Sequence, residues 1–209
     1  MDGNNGGVMR FNLGCGNYKL KDWINVDKEP ACAPDQVVDL EALPWPWADN
    51  SAEEVLFRHS LEHIGATTAL YLGIVKELYR VCRDGAKVTV IVPHPRHNHF
   101  LDDPTHVRAI TVGGLEMFSQ AKNQEWKTMG ASNTPLGVYL GIDFDIGKVS
   151  MAPDPYWGRK LQRGEITEAQ LNEAALMYNN VVGAITIVIR AVKPAGKGVG
   201  AAKPPVSPA

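Results

Sequence analysis

The sequence predicts an α/β fold, a doubly wound and mostly parallel sheet of seven strands. Two observations lead there. Short apolar runs alternate with turn signals and a helical segment through residue 92, the order of a parallel sheet built from crossovers. The glycines and acids that could do chemistry fall at predicted strand ends, where open α/β sheets bind ligands near their topological switch point.

The elements follow in chain order. Residues 8–13 form the first predicted strand, closed by Gly14-Cys15-Gly16. Residues 24–27 form the second, ending in Asp27, and residues 36–40 form a third that carries Asp39 and Leu40. Pro44-Trp45-Pro46-Trp47 interrupts any regular element, because proline lacks a backbone donor. Its two tryptophans are expected to pack. Residues 54–57 read as the fourth strand. Thr67 stands where it can cap a helix over residues 68–83, in which Leu70, Ile74, Leu78 and Val81 recur at helical spacing. Asp84-Gly85 supplies its stop. Residues 87–92 form the fifth strand, closed by Pro93. Thr111 caps a short helix through Phe118. A strand is expected around Tyr139–Phe144. Thr167 and Gln170 make a capping box for a helix over residues 168–178. Residues 182–192, rich in β-branched side chains, form the last strand.

A chain of 209 residues suits one domain with a sizeable core. That domain is expected over residues 8–192, with a site loop or insertion over 94–136. Residues 1–7 are polar and glycine-rich and are expected to be flexible. Residues 193–209 are dominated by Pro, Gly, Ala and Lys, which cannot bury a core, and are expected to be a disordered tail. The net charge of −2 gives no global drive toward nucleic acid or anionic membranes. Cys15, Cys32 and Cys82 are widely spaced and form no C-x-x-C pair, so neither a disulfide framework nor a zinc knuckle is expected. No apolar run approaches the roughly 20 residues of a membrane span, and the N-terminus lacks a signal layout. A cytoplasmic location is expected.

The glycine turn and Asp27 carry the first chemistry. Glycine lets the backbone turn sharply and approach a ligand without a Cβ in the way, and an acid after the next strand can accept hydrogen bonds from ribose hydroxyls. Gly14 and Asp27 are thirteen positions apart, against roughly 20 in the dinucleotide fingerprint. The third glycine of that fingerprint is replaced by Asn17, Tyr18 and Lys19. A helix N-terminus that cradles a pyrophosphate has little room here. A nucleoside without a diphosphate fits better, and S-adenosylmethionine (SAM) is such a ligand.

The ordered motifs extend this. Phe11-Asn12-Leu13-Gly14-Cys15-Gly16, Trp23-Ile24-Asn25-Val26-Asp27, Asp39-Leu40-Glu41-Ala42-Leu43-Pro44-Trp45, Arg58-His59-Ser60-Leu61-Glu62-His63-Ile64 and Glu77–Gly85 follow one another in a way that resembles the class I SAM-dependent methyltransferases, most closely their small type 11 branch. The resemblance covers roughly residues 9–93. It implies a Rossmann-like fold and SAM as cofactor. It implies that Gly14, Cys15 and Gly16 pass under the methionine part, that Asp27 holds the ribose, and that Asp39 and the Leu40 backbone meet the adenine. It implies that His59 and Ser60 line the methionine side or the methyl-transfer mouth. Glu62 and His63 are expected to cap or brace the segment that follows. Asn17 departs from the pattern, since many members carry a glycine there, and the first helix must be very short.

All six histidines lie between residues 59 and 106, four of them in the stretch 94–108 that follows the fifth strand. Methyl transfer is an in-line displacement for which the protein mainly positions the acceptor. A hydroxyl acceptor gains from a general base of near-neutral pKa, and histidine suits that task. His106 is the expected base, with His97 as the alternative and Asp103 or Asp102 orienting it. Arg96 and Arg108 are candidates to clamp an anionic acceptor. The same cluster also reads as a metal site or as a plain surface loop. The acceptor site is the reading taken, with no metal assigned. The Asp/Asn-Pro-Pro-aromatic motif of amino-methylating DNA enzymes is replaced by His59–His63, Asp154-Pro155-Tyr156-Trp157 lacks its second proline, and no Pro-Cys pair occurs for cytosine-C5 chemistry. A small-molecule, sugar or lipid-linked acceptor is therefore expected, and no nucleic acid. The alternative function is a non-catalytic SAM-binding scaffold of the same fold.

Overall fold

Apolar and polar residues alternate along the strands, and a strand sends successive side chains to opposite faces. In the computed structural model, which describes residues 9–196, this alternation puts most of the fully buried strand side chains on one sheet face and a mixture of polar and apolar ones on the other. The strands are β1 (Met9–Leu13), β2 (Ile24–Asp27), β3 (Gln36–Val37), β4 (Ala52–Arg58), β5 (Cys82–Pro93), β6 (Phe144–Pro153) and β7 (Val182–Ala191). They form one seven-stranded sheet in the order β3-β2-β1-β4-β5-β7-β6. The first five run parallel, and β7 lies antiparallel to both its neighbours. The strand order turns back between β1 and β4, which is the switch point of the predicted mostly parallel sheet.

Phe11, Leu13, Val55, Phe57, Val88 and Val90 share the apolar face through their cross-strand register. Helix α1 (Thr68–Val81) packs there with Tyr71, Ile74, Val75, Leu78 and Val81 buried. Each such large apolar side chain contributes about 1.5–3 kcal/mol when fully buried. Thr67 caps the helix as expected, accepting from the Leu70 N–H at 3.3 Å. Trp45 and Trp47 are buried beside Phe11 and pack edge to face on each other. The opposite face carries a row of charged residues of both signs, Arg10, Glu54, Lys87, Arg190 and Asp145, as successive cross-strand neighbours. Lys87 pairs with Glu54 in this row.

Several boundaries depart from expectation. Helix α1 ends at Val81, not at Asp84-Gly85, because Cys82 is buried in sheet pairing with Ala52. Strand β3 stops at Val37, and the Asp39 carboxylate accepts from the Glu41 N–H at 2.9 Å in a turn. Between β5 and β6 lie α2 (Asn98–Leu101), α3 (Val112–Glu116), α4 (Gln120–Thr128) and α5 (Leu136–Leu140). Thr111 caps α3 as predicted. Helix α4 buries only Asn123, so it shows no apolar period to detect. The strand expected around Tyr139–Phe144 is instead α5, a Gly141 cap, and β6 from Phe144 onward. Close packing decides this. Gly137 donates to the Met117 carbonyl at 2.9 Å, and a Cβ on it would meet the Phe118 carbonyl oxygen at 2.9 Å.

Helices α6 (Pro155–Gln162) and α7 (Glu168–Met177) connect β6 to β7. The Thr167–Gln170 capping box is present. Among the described residues no helix is long and apolar enough to cross a membrane. The N-terminal segment 1–7 lies outside the described residues, as does most of the expected tail. The first residues of that tail are tied down: the Lys193 N–H donates to Asp84 at 2.9 Å and the Gly196 N–H to Asp143 at 3.0 Å.

Candidate active site

Ten residues link β1 to β2, too few for a crossover helix. A network of side-chain amides holds them instead. The Asn12 amide donates to the Tyr18 carbonyl at 2.7 Å and to Asn25 Oδ1 at 3.0 Å. Asn25 in turn accepts from the Leu20 N–H at 2.8 Å and donates to the Leu20 carbonyl at 3.1 Å. Its backbone and amide N–H groups both reach Asp35, whose carboxyl they hold below the usual carboxylate range. Asn12 and Asn25 are buried polar residues; the Asn12 amide nitrogen and the whole Asn25 amide find partners here, as buried polar groups require, while Asn12 Oδ1 has none among the described residues. They escaped the sequence reading. The available signal was two asparagines inside otherwise apolar strands.

The loop these residues hold is the glycine turn. Gly14 and Gly16 both have positive φ, +67° and +48°, the region glycine enters without steric cost. The Gly16 N–H donates to Asp27 Oδ2 at 2.7 Å, and the Glu29 N–H donates to Asp27 Oδ1 at 3.0 Å. Asp27 thus joins the β1 loop to the end of β2, with lone pairs left on both oxygens. Cys15 is buried, and its sulfur accepts from Lys19 Nζ at 3.0 Å. Ser60 is buried beside Gly14 and donates to the Leu13 carbonyl at 2.8 Å. Leu40 is buried, and its carbonyl accepts from the Trp45 indole at 2.9 Å. Asp39 stays exposed in its turn. The Arg58 guanidinium covers the Tyr18 ring at 4.2 Å.

A cavity of about 500 Å³ opens beside this loop, lined by His59, Glu62, His63, His99, Asp103 and His106 among others. His59 reaches it from a left-handed backbone, φ 52°, right after β4. His106 Nδ1 faces the Phe100 carbonyl at 2.8 Å, so that nitrogen carries the proton and Nε2 is left free. Asp103 Oδ2 lies 3.7 Å from that Nε2. The Thr105 hydroxyl and N–H both donate to Asp103 Oδ1 and hold its carboxyl below the usual range. Glu62, expected to brace a helix, is fully buried in a 3-10 turn over Leu61–His63.

Other expected site residues lie away from the cavity lining. His97 is only 3% exposed; its Nδ1 accepts from the His99 N–H at 3.0 Å and its Nε2 lies 3.2 Å from Asp154. It caps α2 and does not line the cavity. Arg96 donates to the carbonyls of Ala175, Leu176 and Tyr178 at the end of α7. Arg108 donates to the Gly65 carbonyl and stacks on Tyr71 at 4.2 Å. Neither arginine faces the cavity.

No family model and no curated protein matches the chain. Solved structures do. A SAM-dependent methyltransferase from Archaeoglobus fulgidus is 16% identical with a TM-score of 0.58, covering 88% of this chain and 86% of its own. A SAM-dependent methyltransferase from Methanosarcina mazei is 12% identical with a TM-score of 0.51, covering 88% and 92%. With the 3-2-1-4-5-7-6 strand order and a glycine turn at its switch point, the chain has the fold of the class I SAM-dependent methyltransferases.

Proposed function

We propose that the protein is a SAM-dependent methyltransferase that moves a methyl group to the oxygen or nitrogen of a small-molecule, sugar or lipid-linked acceptor. The observation that carries this is the Gly16–Asp27 hydrogen bond at the switch point, next to a histidine-lined cavity. The donor set suits SAM. A Cβ on Gly16 would meet nothing within 4 Å, so the backbone there is open to a ligand. Asp27 keeps lone pairs for ribose hydroxyls, and the Asp39 turn with the Leu40 backbone is the reading for adenine. When bound, SAM supplies an activated methyl on a sulfonium.

The chain's own residues orient the partners. Ser60 ties the glycine turn to the strand end that carries His59 into the cavity. The cavity receives the acceptor. His106 Nε2 and the Asp103 carboxylate are the groups there that can take up a proton from a hydroxyl acceptor.

Calorimetry with SAM and with NAD tests the cofactor, and turnover of candidate acceptors read as S-adenosylhomocysteine tests the reaction. SAM binding with turnover is expected. Binding of NAD but not SAM would overturn the reading, and SAM binding without turnover on any acceptor class would leave the non-catalytic scaffold.

A further inference from the structure

Glu62 is the most unusual side chain in the protein. It is fully buried, and among the described residues neither carboxylate oxygen has a hydrogen-bond partner. A buried carboxylate without partners costs several kcal/mol. Its neighbours do not donate to it. His59 Nδ1 stops 3.6 Å from Oε1, beyond hydrogen-bonding distance. Ligand atoms of His63 and His106 lie within 4.8 Å of a Glu62 oxygen and of each other.

The hydrogen bonds of the two imidazoles engage Nδ1 and leave Nε2 as the nitrogen able to bind an ion. The Thr105 hydroxyl has a single proton and gives it to Asp103 at 2.6 Å. His63 Nδ1, 2.9 Å from that hydroxyl, must therefore be the donor. His106 Nδ1 donates to the Phe100 carbonyl. In both rings Nε2 is left with its lone pair. Metal-bound histidines characteristically donate their other N–H to a carbonyl or a carboxylate chain in this way. The hydroxyl relay from His63 to Asp103 is such a chain.

We propose that Glu62, His63 and His106 form a binding site for a divalent transition-metal ion, with its open position facing the cavity. Two imidazole nitrogens and one carboxylate make the donor set of catalytic Zn²⁺ and non-haem Fe²⁺ sites, and not the all-oxygen set of Mg²⁺ or Ca²⁺. Around a tetrahedral ion the ligand atoms would stand about 3.4 Å apart, so the three side chains, whose ligand atoms lie within 4.8 Å of one another, draw closer on binding. The ion gives the Glu62 carboxylate the direct partner that it lacks among the described residues. Asp103 and His59 stand just outside this set, and the cavity gives an oxygen ligand access to the fourth position. The assignment does not rest on the methyl-transfer reading. Where both hold, His106 is a ligand and not the base.

The test uses the full chain, freed of any affinity tag, stripped with chelator and titrated with Co²⁺ alone. One equivalent should bind with visible ligand-field absorption, Zn²⁺ should displace it, and Mg²⁺ should not. Glu62→Gln and His106→Ala should each weaken Co²⁺ binding at least tenfold, while His99→Ala, in the same cavity but outside the set, keeps one equivalent. Circular dichroism reports whether each variant folds, and if Glu62→Gln does not, the more exposed His63→Ala carries the comparison. Absence of Co²⁺ uptake by the wild type, or uptake unchanged in folded variants, would overturn the site. SAM calorimetry on the same samples reports separately on the cofactor.

Discussion

Gly14 sits so close to Ser60 that a Cβ on residue 14 would lie 2.4 Å from the Ser60 Cβ. The approach follows from Ser60 donating to the Leu13 carbonyl, which pulls the end of β4 over the turn. Gly16, two residues on, has open space in the same direction. The two glycines therefore fail differently. Gly14→Ala meets both the left-handed penalty of about 1–2 kcal/mol and a backbone-anchored clash. Gly16→Ala meets only the penalty. Thermal unfolding should show Gly14→Ala less stable than Gly16→Ala by several degrees. Equal melting temperatures would mean that Ser60 yields.

Asp27 holds the loop and keeps lone pairs for a ligand. Asp27→Ala should weaken SAM binding at least about tenfold, as expected for a lost charge-assisted hydrogen bond of roughly 1.5–3 kcal/mol. Asp27→Asn, which keeps one acceptor oxygen, should fall between. Calorimetry measures both, and unchanged affinity in a folded Asp27→Ala would put the ribose elsewhere.

Glu77 organises the Pro44–Trp47 segment. Its carboxylate accepts from Arg80 Nε at 3.0 Å and from the Trp45 N–H at 2.7 Å, and Arg80 donates onward to the Trp45 and Trp47 carbonyls. The Arg80 guanidinium, followed by the Trp45 N–H, holds the Glu77 carboxyl below its usual value of 4.5. A carboxyl lowered by folding stabilises above its unfolded pKa and loses that contribution as pH falls through the folded one. Glu77→Gln should therefore lower stability at pH 7 by about 1–3 kcal/mol. The gap to wild type should close below pH 4.5, as urea unfolding at several pH values will show.

His97 braces the loop after β5 through Asp154 and the His99 N–H. His97→Ala should cost about 1–3 kcal/mol, a melting shift of roughly 2–4 °C per kcal/mol at this chain length. A double-mutant cycle with Asp154→Ala should give a coupling of at least about 0.5 kcal/mol. Additive losses would mean that the two residues act independently.

Truncation separates the two parts of the C-terminal segment. Lys193 donates to Asp84 and Asn50 and covers the Tyr79 ring. Removing residues 197–209 should leave the melting temperature unchanged, whereas ending the chain at Val192 should lower it. A stable chain ending at Val192 would show that these contacts add nothing.

The elements with their own local chemistry were legible in the sequence. The runs at β1, β2, β4 and β7 carry strand patterning, α1 carries helical spacing with a threonine cap, and α7 has a complete capping box. Gly14, Gly16 and Asp27 were legible for the same reason: a sharp turn needs glycine, and the acid stands at a strand end. Helices α4 and α5 were not, because what holds them lies elsewhere in the chain. One buries only Asn123 and the other wedges Gly137 against Phe118.

The histidine cluster marks the limit most clearly. The sequence places four histidines after β5, with His106 the expected base and His97 the alternative. Tertiary structure separated them. His97 turns into the protein toward Asp154, while His106 meets His63 and Glu62, more than forty residues earlier, across the end of β4. No local pattern pairs residues that far apart. Their juxtaposition is held by the Val107 and Arg108 N–H groups, which donate to the Glu62 carbonyl at 2.9 and 3.2 Å, and there the Glu62 carboxylate is buried beside two imidazoles.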